Sequence, residues 1–185
     1  MATIPGDRLM TAEEFMATDH GEGIHELIRG KVVTSPYGFI VHGYVCAQVA
    51  GHLHGFVRAT NLGYCLCNNV AVLIQRDPDT VRCPDICYYS ETRFPRPKVG
   101  PWIMPIPPDV AIEVVSPTDR WSEIERKIGE YLQAGSFAVW VISTENRTVM
   151  IHRDSDSPPE VLNDDVIADQ PELPGFRCTV AELFP

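Results

Sequence analysis

The stretch DVAIEVVSPTDRWSEIERK, Asp109 to Lys127, decides how the rest of the chain is read. Its first half is apolar at both parities, with Val110, Ala111, Ile112, Val114 and Val115. Successive strand side chains point to opposite faces, so this run predicts a strand covered on both sides. The second half changes period. Ile124, Ile128, Tyr131 and Leu132 recur at helical spacing and predict a helix with one buried stripe, capped by Gly135. Two charged residues sit inside this unit. Glu113 stands in mid-strand, where a carboxylate is almost never buried unless paired, hydrogen-bonded or bound to metal. Lys127 flanks the apolar stripe of the helix. Local rules place it at the surface, paired with Glu123 and Glu130 at i−4 and i+3. Its position also allows the amine to reach across the sheet face toward the preceding strand.

Reading outward, MTAEEFMATD (Met10 to Asp19) predicts a short helix with Thr11 as N-cap and Glu14 completing a capping box. IHELIRGKVVTSP predicts a hairpin turning at Gly30. Ile40, Tyr44, Val45, Val49, Leu53, Phe56 and Val57 mark a helix of about twenty residues, whose glycines would allow close packing. Gly63 to Ile74, Asp85 to Ser90 and Asp109 to Ser116 read as strands rich in β-branched and aromatic residues. FAVWVIS and RTVMIHR form a second hairpin turning at TEN, SDSPPEVLNDD leads into an edge strand, and TVAELF closes the chain as a short helix. The fold expected is α/β: a mixed central sheet flanked by helices, with an N-terminal helix and hairpin.

At 185 residues, 44% of them hydrophobic, the chain suits a single domain, residues 1–185, with its own core. No apolar run is long enough to span a membrane, and the N-terminus lacks a basic-then-apolar signal layout, so a cytoplasmic location is the default expectation. That setting disfavours disulfides among Cys46, Cys65, Cys67, Cys83, Cys87 and Cys178. Neither CLC nor CPDIC has the usual zinc-ligand spacing, which favours structural cysteines in strands. The net charge of −10 argues against broad attraction to phosphate backbones, unless a local groove or a bound cation supplies positive charge.

In VRCPDICYY, Asp85 follows Pro84 where a loop becomes a strand. Asp85 and Glu113 offer hard oxygen ligands suited to Mg²⁺ or Mn²⁺. Such an ion acidifies a water and polarises a phosphoryl group, and a nearby lysine stabilises developing charge. The set makes sense for phosphodiester hydrolysis.

HELIRGKVV, Ser35-Pro36 with His42, VRCPDICYY, DVAIEVVSPTDR, the helix from Lys127 into FAVWVIS, and LPGFRCTVAELF occur in one order across nearly the whole chain. In these pieces the chain resembles the PD-(D/E)XK nuclease superfamily and, within it, the Uma-two family of restriction-type endonucleases. The resemblance implies a restriction-endonuclease-like core and a Mg²⁺- or Mn²⁺-dependent endonuclease acting on DNA. It makes Asp85 and Glu113 the metal-binding acids. The usual lysine position holds Val115, and the family pattern supplies the lysine from the following helix, at Lys127. Glu26 matches a recurrent acid that would complete the metal shell or hold a water. His42 matches a recurrent position that a helix-start histidine making structural hydrogen bonds would equally explain. A homodimer would let two sites cut two strands. The loop Arg93 to Pro108 offers Phe94, Trp102 and Met104 as contacts, or packs as a lid on its own domain. Two competing readings are a non-catalytic binding or assembly protein on the same fold and a metal hydrolase of small phosphorylated molecules.

Overall fold

The computed structural model describes residues 8–96, 103–117 and 119–185. The chain runs α1 (Ala12–Ala17), β1 (Ile24–Ile28), β2 (Lys31–Ser35), α2 (Ile40–Thr60), β3 (Gly63–Cys67), β4 (Val72–Gln75), β5 (Thr80–Arg82), β6 (Ile86–Ser90) and β7 (Val110–Val115). It continues through α3 (Trp121–Ala134), β8 (Ala138–Ser143), β9 (Thr148–His152), β10 (Glu160–Leu162), β11 (Val166–Ile167), β12 (Cys178–Thr179) and a final 3-10 turn, Val180–Leu183.

The central sheet has the order β10-β9-β8-β7-β6-β3. Its β7–β8 pair is parallel and every other pair antiparallel. The sheet is therefore mixed, as expected. Strand β7 is buried at every position, and its two faces meet different helices. Val110, Ile112 and Val114 pack with Val45, Val49, Leu53 and Val57 of α2. Ala111 and Val115 pack with Ile124, Ile128 and Tyr131 of α3. Each fully buried aliphatic side chain is worth about 1.5–3 kcal/mol, so the two stripes fix both helices on the sheet. Gly135 ends α3 in the left-handed conformation at φ 107°, and its N–H reaches back to Leu132 and Tyr131.

A second sheet, order β2-β1-β5-β4, packs with α1 through Met10, Phe15, Leu27 and Val81. The Thr11–Glu14 capping box is present, and the β1–β2 hairpin turns through Arg29 and Gly30 at φ 49° and 76°.

Several expectations are corrected. Gly63 to Ile74 is not one strand. Asn68 and Asn69 adopt left-handed conformations at φ 72° and 56°, dividing it into β3 of the central sheet and β4 of the other. Strand β5, only three residues long, was not anticipated. The buried stripe of α2 begins at Val45; Ile40 is 93% exposed and Tyr44 also faces outward. A Cβ at Gly43, Gly51 or Gly55 would meet nothing within 4 Å, so close packing does not require these glycines. Met104 is buried and bridges β4 through backbone bonds to Ala71 and Leu73, and Phe94 packs on Tyr89. Met104 offers no open contact surface, Phe94 is half-buried, and Trp102 lies outside the described residues. Among the described residues, no helix is long and apolar enough to cross a membrane.

Candidate active site

The β6–β7 register brings the two acids together. Ile86 pairs with Ile112, and Cys87 with Ala111. Asp85 lies one residue before the paired part of β6, and Glu113 one residue beyond Ile112 on β7. Asp85 Oδ2 accepts the Val114 N–H at 2.8 Å, which fixes the carboxylate against β7. Like charges on neighbouring strands repel, so the arrangement needs compensating positive charge.

Part of that charge comes from α3. Lys127 Nζ lies 2.9 Å from Glu113 Oε2 and 3.4 Å from Glu26 Oε1. The expected surface partners are otherwise engaged: Glu123 pairs with Arg126, and Glu130 accepts Arg82 Nε at 2.6 Å. Glu113 faces α3 because it shares its parity with Ala111 and Val115. Its other oxygen accepts the Tyr131 hydroxyl at 2.9 Å. Lys127 and Tyr131 are four residues apart on one helix face, so α3 grips both oxygens of one buried carboxylate.

Behind them, Glu26 on β1 is buried. Its Oε2 accepts Arg82 Nη1 at 2.8 Å, and its Oε1 accepts the Cys83 N–H at 3.0 Å. Glu26 thus ties β5 to β1 while also contacting Lys127. On the opposite face, His42 Nε2 of α2 lies 3.3 Å from Asp85 Oδ1, and Cys46 Sγ lies 3.6 Å from His42 Nδ1. The five residues singled out in sequence fall into two contacting groups, Glu26–Lys127–Glu113 and His42–Asp85, with Asp85 anchored on the Val114 N–H next to Glu113.

Burial pushes the Glu113 carboxyl up to about 7; Lys127 opposes the rise, and the Asp85 and Glu26 charges add to it. Burial works against the Lys127 ammonium, but Glu113 and Glu26 outweigh it and hold its proton well above the ordinary lysine range. Both partners shift toward protonation, as expected of a buried cluster rich in carboxylate. Burial also opposes the Glu26 charge, yet Lys127 and Arg82 keep its carboxyl below the ordinary value. The hydrogen bond to Asp85 raises His42 to about 10.

This chemistry fits a divalent cation. Asp85 and Glu113 are hard oxygen donors, one just before β6 and the other on β7, the strand that pairs with it. Glu113 is destabilised as an anion by burial and by the Asp85 charge, and a cation between them would relieve both. The cysteines of CLC and CPDIC form no cluster of three metal-ligating side chains among the described residues.

Sequence reasoning missed Tyr131, Arg82 and Cys46 at this cluster. Tyr131 was counted in the apolar stripe, although a buried tyrosine hydroxyl demands a partner. Arg82 gave no signal, because the short strand carrying it was not recognised.

A mixed sheet between helices, with Glu113 on its β7 and Glu26 and Asp85 beside it, defines an α/β protein with an acidic cluster at its central strand. The chain belongs to the Uma2 family, described as "Putative restriction endonuclease", whose model matches residues 12–181. Among solved structures it is similar to a protein from Anabaena variabilis ATCC 29413, described as a "putative nuclease belonging to DUF820". The two are 22% identical with a TM-score of 0.81, covering 95% of this chain and 97% of that one, a likeness that establishes the fold. No curated protein matches the chain.

Proposed function

We propose that this chain is a divalent-metal-dependent endonuclease that hydrolyses DNA phosphodiester bonds, with Mg²⁺ or Mn²⁺ as cofactor. The observation that carries the reading is Asp85 anchored on the Val114 N–H of β7, beside a buried Glu113 that Lys127 of the following helix contacts. Membership of the Uma2 family supports it.

In this reading Asp85 and Glu113 hold the cation. When bound, it would polarise the phosphoryl group and lower the pKa of a water. Tyr131 fixes the rotamer of Glu113 through its hydrogen bond. Lys127 keeps its proton, so it serves as a donor and a positive charge toward a phosphate oxygen or the attacking water, not as the base. Glu26, held by Arg82 and the Cys83 N–H, sets the height of the Lys127 amine. It is a positioning residue. His42 orients Asp85 from the α2 side. An assembly of two chains would present two such sites to the two strands of a duplex.

The test is cleavage of plasmid DNA with Mg²⁺ or Mn²⁺, compared with EDTA, in wild type and Glu113→Gln. Metal-dependent cleavage that disappears in the folded variant is expected. Equal DNA binding by both proteins with no cleavage by either would favour a non-catalytic binding protein instead.

A further inference from the structure

His42, Cys46 and Asp85 contain more ligand chemistry than the hydrolytic reading uses. Each offers one donor atom, these atoms all lie within 4.8 Å of one another, and none of the three residues is fully exposed. His42 and Cys46 are four residues apart on α2, so they project from one face. The helix cannot readily turn away, because Val45 and Val49 anchor it in the core. Asp85 approaches from the strand side, held by the Val114 N–H.

The distances discriminate between ions. Tetrahedral zinc, with bonds of about 2.0–2.3 Å to nitrogen, oxygen and sulfur, sets its donor atoms about 3.3–3.6 Å apart. His42 Nε2 stands 3.3 Å from Asp85 Oδ1 and 4.0 Å from Cys46 Sγ. Of the three edges one already matches, the second closes with a shift of about half an ångström, and the third, Cys46 to Asp85, lies within 4.8 Å. A thiolate, an imidazole and one carboxylate suit zinc and its neighbours, not Mg²⁺, which demands oxygen.

We propose that His42, Cys46 and Asp85 form a thiolate-containing site for a zinc-class transition-metal ion, distinct in ligand set from the Asp85–Glu113 oxygen site but sharing Asp85 with it. Three protein ligands leave one coordination position for water. Binding there takes Asp85 away from the catalytic cation, so zinc-class ions act as inhibitors. The site stands on its own geometry; the inhibition rests on the endonuclease reading.

The experiment titrates reduced, metal-free protein with Co²⁺, whose thiolate complexes absorb in the near ultraviolet. One equivalent is expected to give a thiolate-to-cobalt band that Zn²⁺ bleaches. Cys46→Ser should abolish the band and His42→Ala should weaken its affinity at least tenfold. Cys178→Ser is the control, because Cys178 lies with His52 and Glu182 in a separate cluster; it should leave the band intact. Absence of a band in folded wild-type protein, or a band lost in Cys178→Ser and kept in Cys46→Ser, overturns the proposal. A second arm measures Zn²⁺ inhibition of Mg²⁺-dependent cleavage. The inhibitory concentration should rise at least tenfold in Cys46→Ser, and an unchanged value refutes the competition. Were no cleavage seen with any metal, the cobalt band would still report on the site while the endonuclease reading failed.

Discussion

Two charge networks in this molecule look alike in outline and differ in kind. In one, Arg76 joins Glu13 of α1 to Asp79 before β5, with contacts of 2.7 and 2.8 Å. In the other, Arg82 and Lys127 join Glu26, Glu113 and Glu130, with contacts of 2.6 to 3.4 Å. Distance does not separate them; exposure does. The Arg76 and Glu13 side chains are 48% and 65% exposed, whereas those of Arg82 and Glu113 are 1% and 5% exposed. Water satisfies the Arg76–Glu13 arm of the first network without help from the fold. The second must satisfy itself, and it does so incompletely: among the described residues Arg82 Nη2 has no hydrogen-bond partner, and Glu113 is driven toward protonation. Evolution tolerates a cost of that kind where chemistry requires it.

The largest effect should come from Lys127→Met, which keeps the aliphatic stem and removes the charge. Cleavage is expected to fall by about 10²- to 10³-fold, the scale of removing one preorganised transition-state donor. Single-turnover rates at saturating DNA check this, and a variant cutting within threefold of wild type would remove Lys127 from the site. Arg82→Met comes next and acts on stability. It takes the guanidinium from Glu26 and Glu130, and breaking a buried pair this way costs about 3–5 kcal/mol. For a domain of this size that is a fall in Tm of about 6–20 °C, read by calorimetry.

The third effect is a pH dependence. Glu113 titrates near 7 in the folded chain and near 4.5 in the unfolded one. The folded state therefore holds the extra proton between these values, and metal-free stability should fall as pH rises from 4.5 to 7, then level off. A cation needs the carboxylate form, so Mn²⁺ affinity should move the opposite way. From pH 6 to pH 8 it is expected to rise about tenfold. Isothermal titration across that range checks it, with Glu113→Gln losing most of the slope. An equal slope in both proteins would assign the proton to another group.

The sheet-and-helix frame was legible because hydrophobic period is a strong signal. The run Val110 to Val115 announced its two covered faces, and the α3 stripe announced its partner. Glu113 was legible for the same reason, as an acid against that pattern. Lys127 was not, since only the tertiary pairing of α3 with β1 and β7 turns it from Glu123 and Glu130 toward Glu26 and Glu113. The resemblance pointed to it where local rules did not. The division at Asn68–Asn69 and the strand of Arg82 were hidden by length, because three to five residues carry too little periodicity to identify a sheet partner. The His42–Cys46 pair had the right helical spacing, but its third member, Asp85, joins only through the fold.

The smallest effect tests the other side of the comparison. Arg76 holds the Glu13 carboxyl down to about 2, a depressed value whose stabilisation would be present above pH 4.5 and lost as pH falls toward 2. Read alone, that shift suggests an important bridge. Glu13 is largely exposed, however, so its partner competes with solvent and with salt. Glu13→Gln should leave the denaturation midpoint unchanged within error at physiological ionic strength, and cleavage untouched. Asp79→Ala should cost more, since its buried carboxylate also accepts the Ala12 N–H at 2.7 Å and so ties down the start of α1. If Glu13→Gln instead destabilised the protein as much as Arg82→Met, exposure would not be what separates the two networks, and the inference from burial to function at Glu113 would lose its basis.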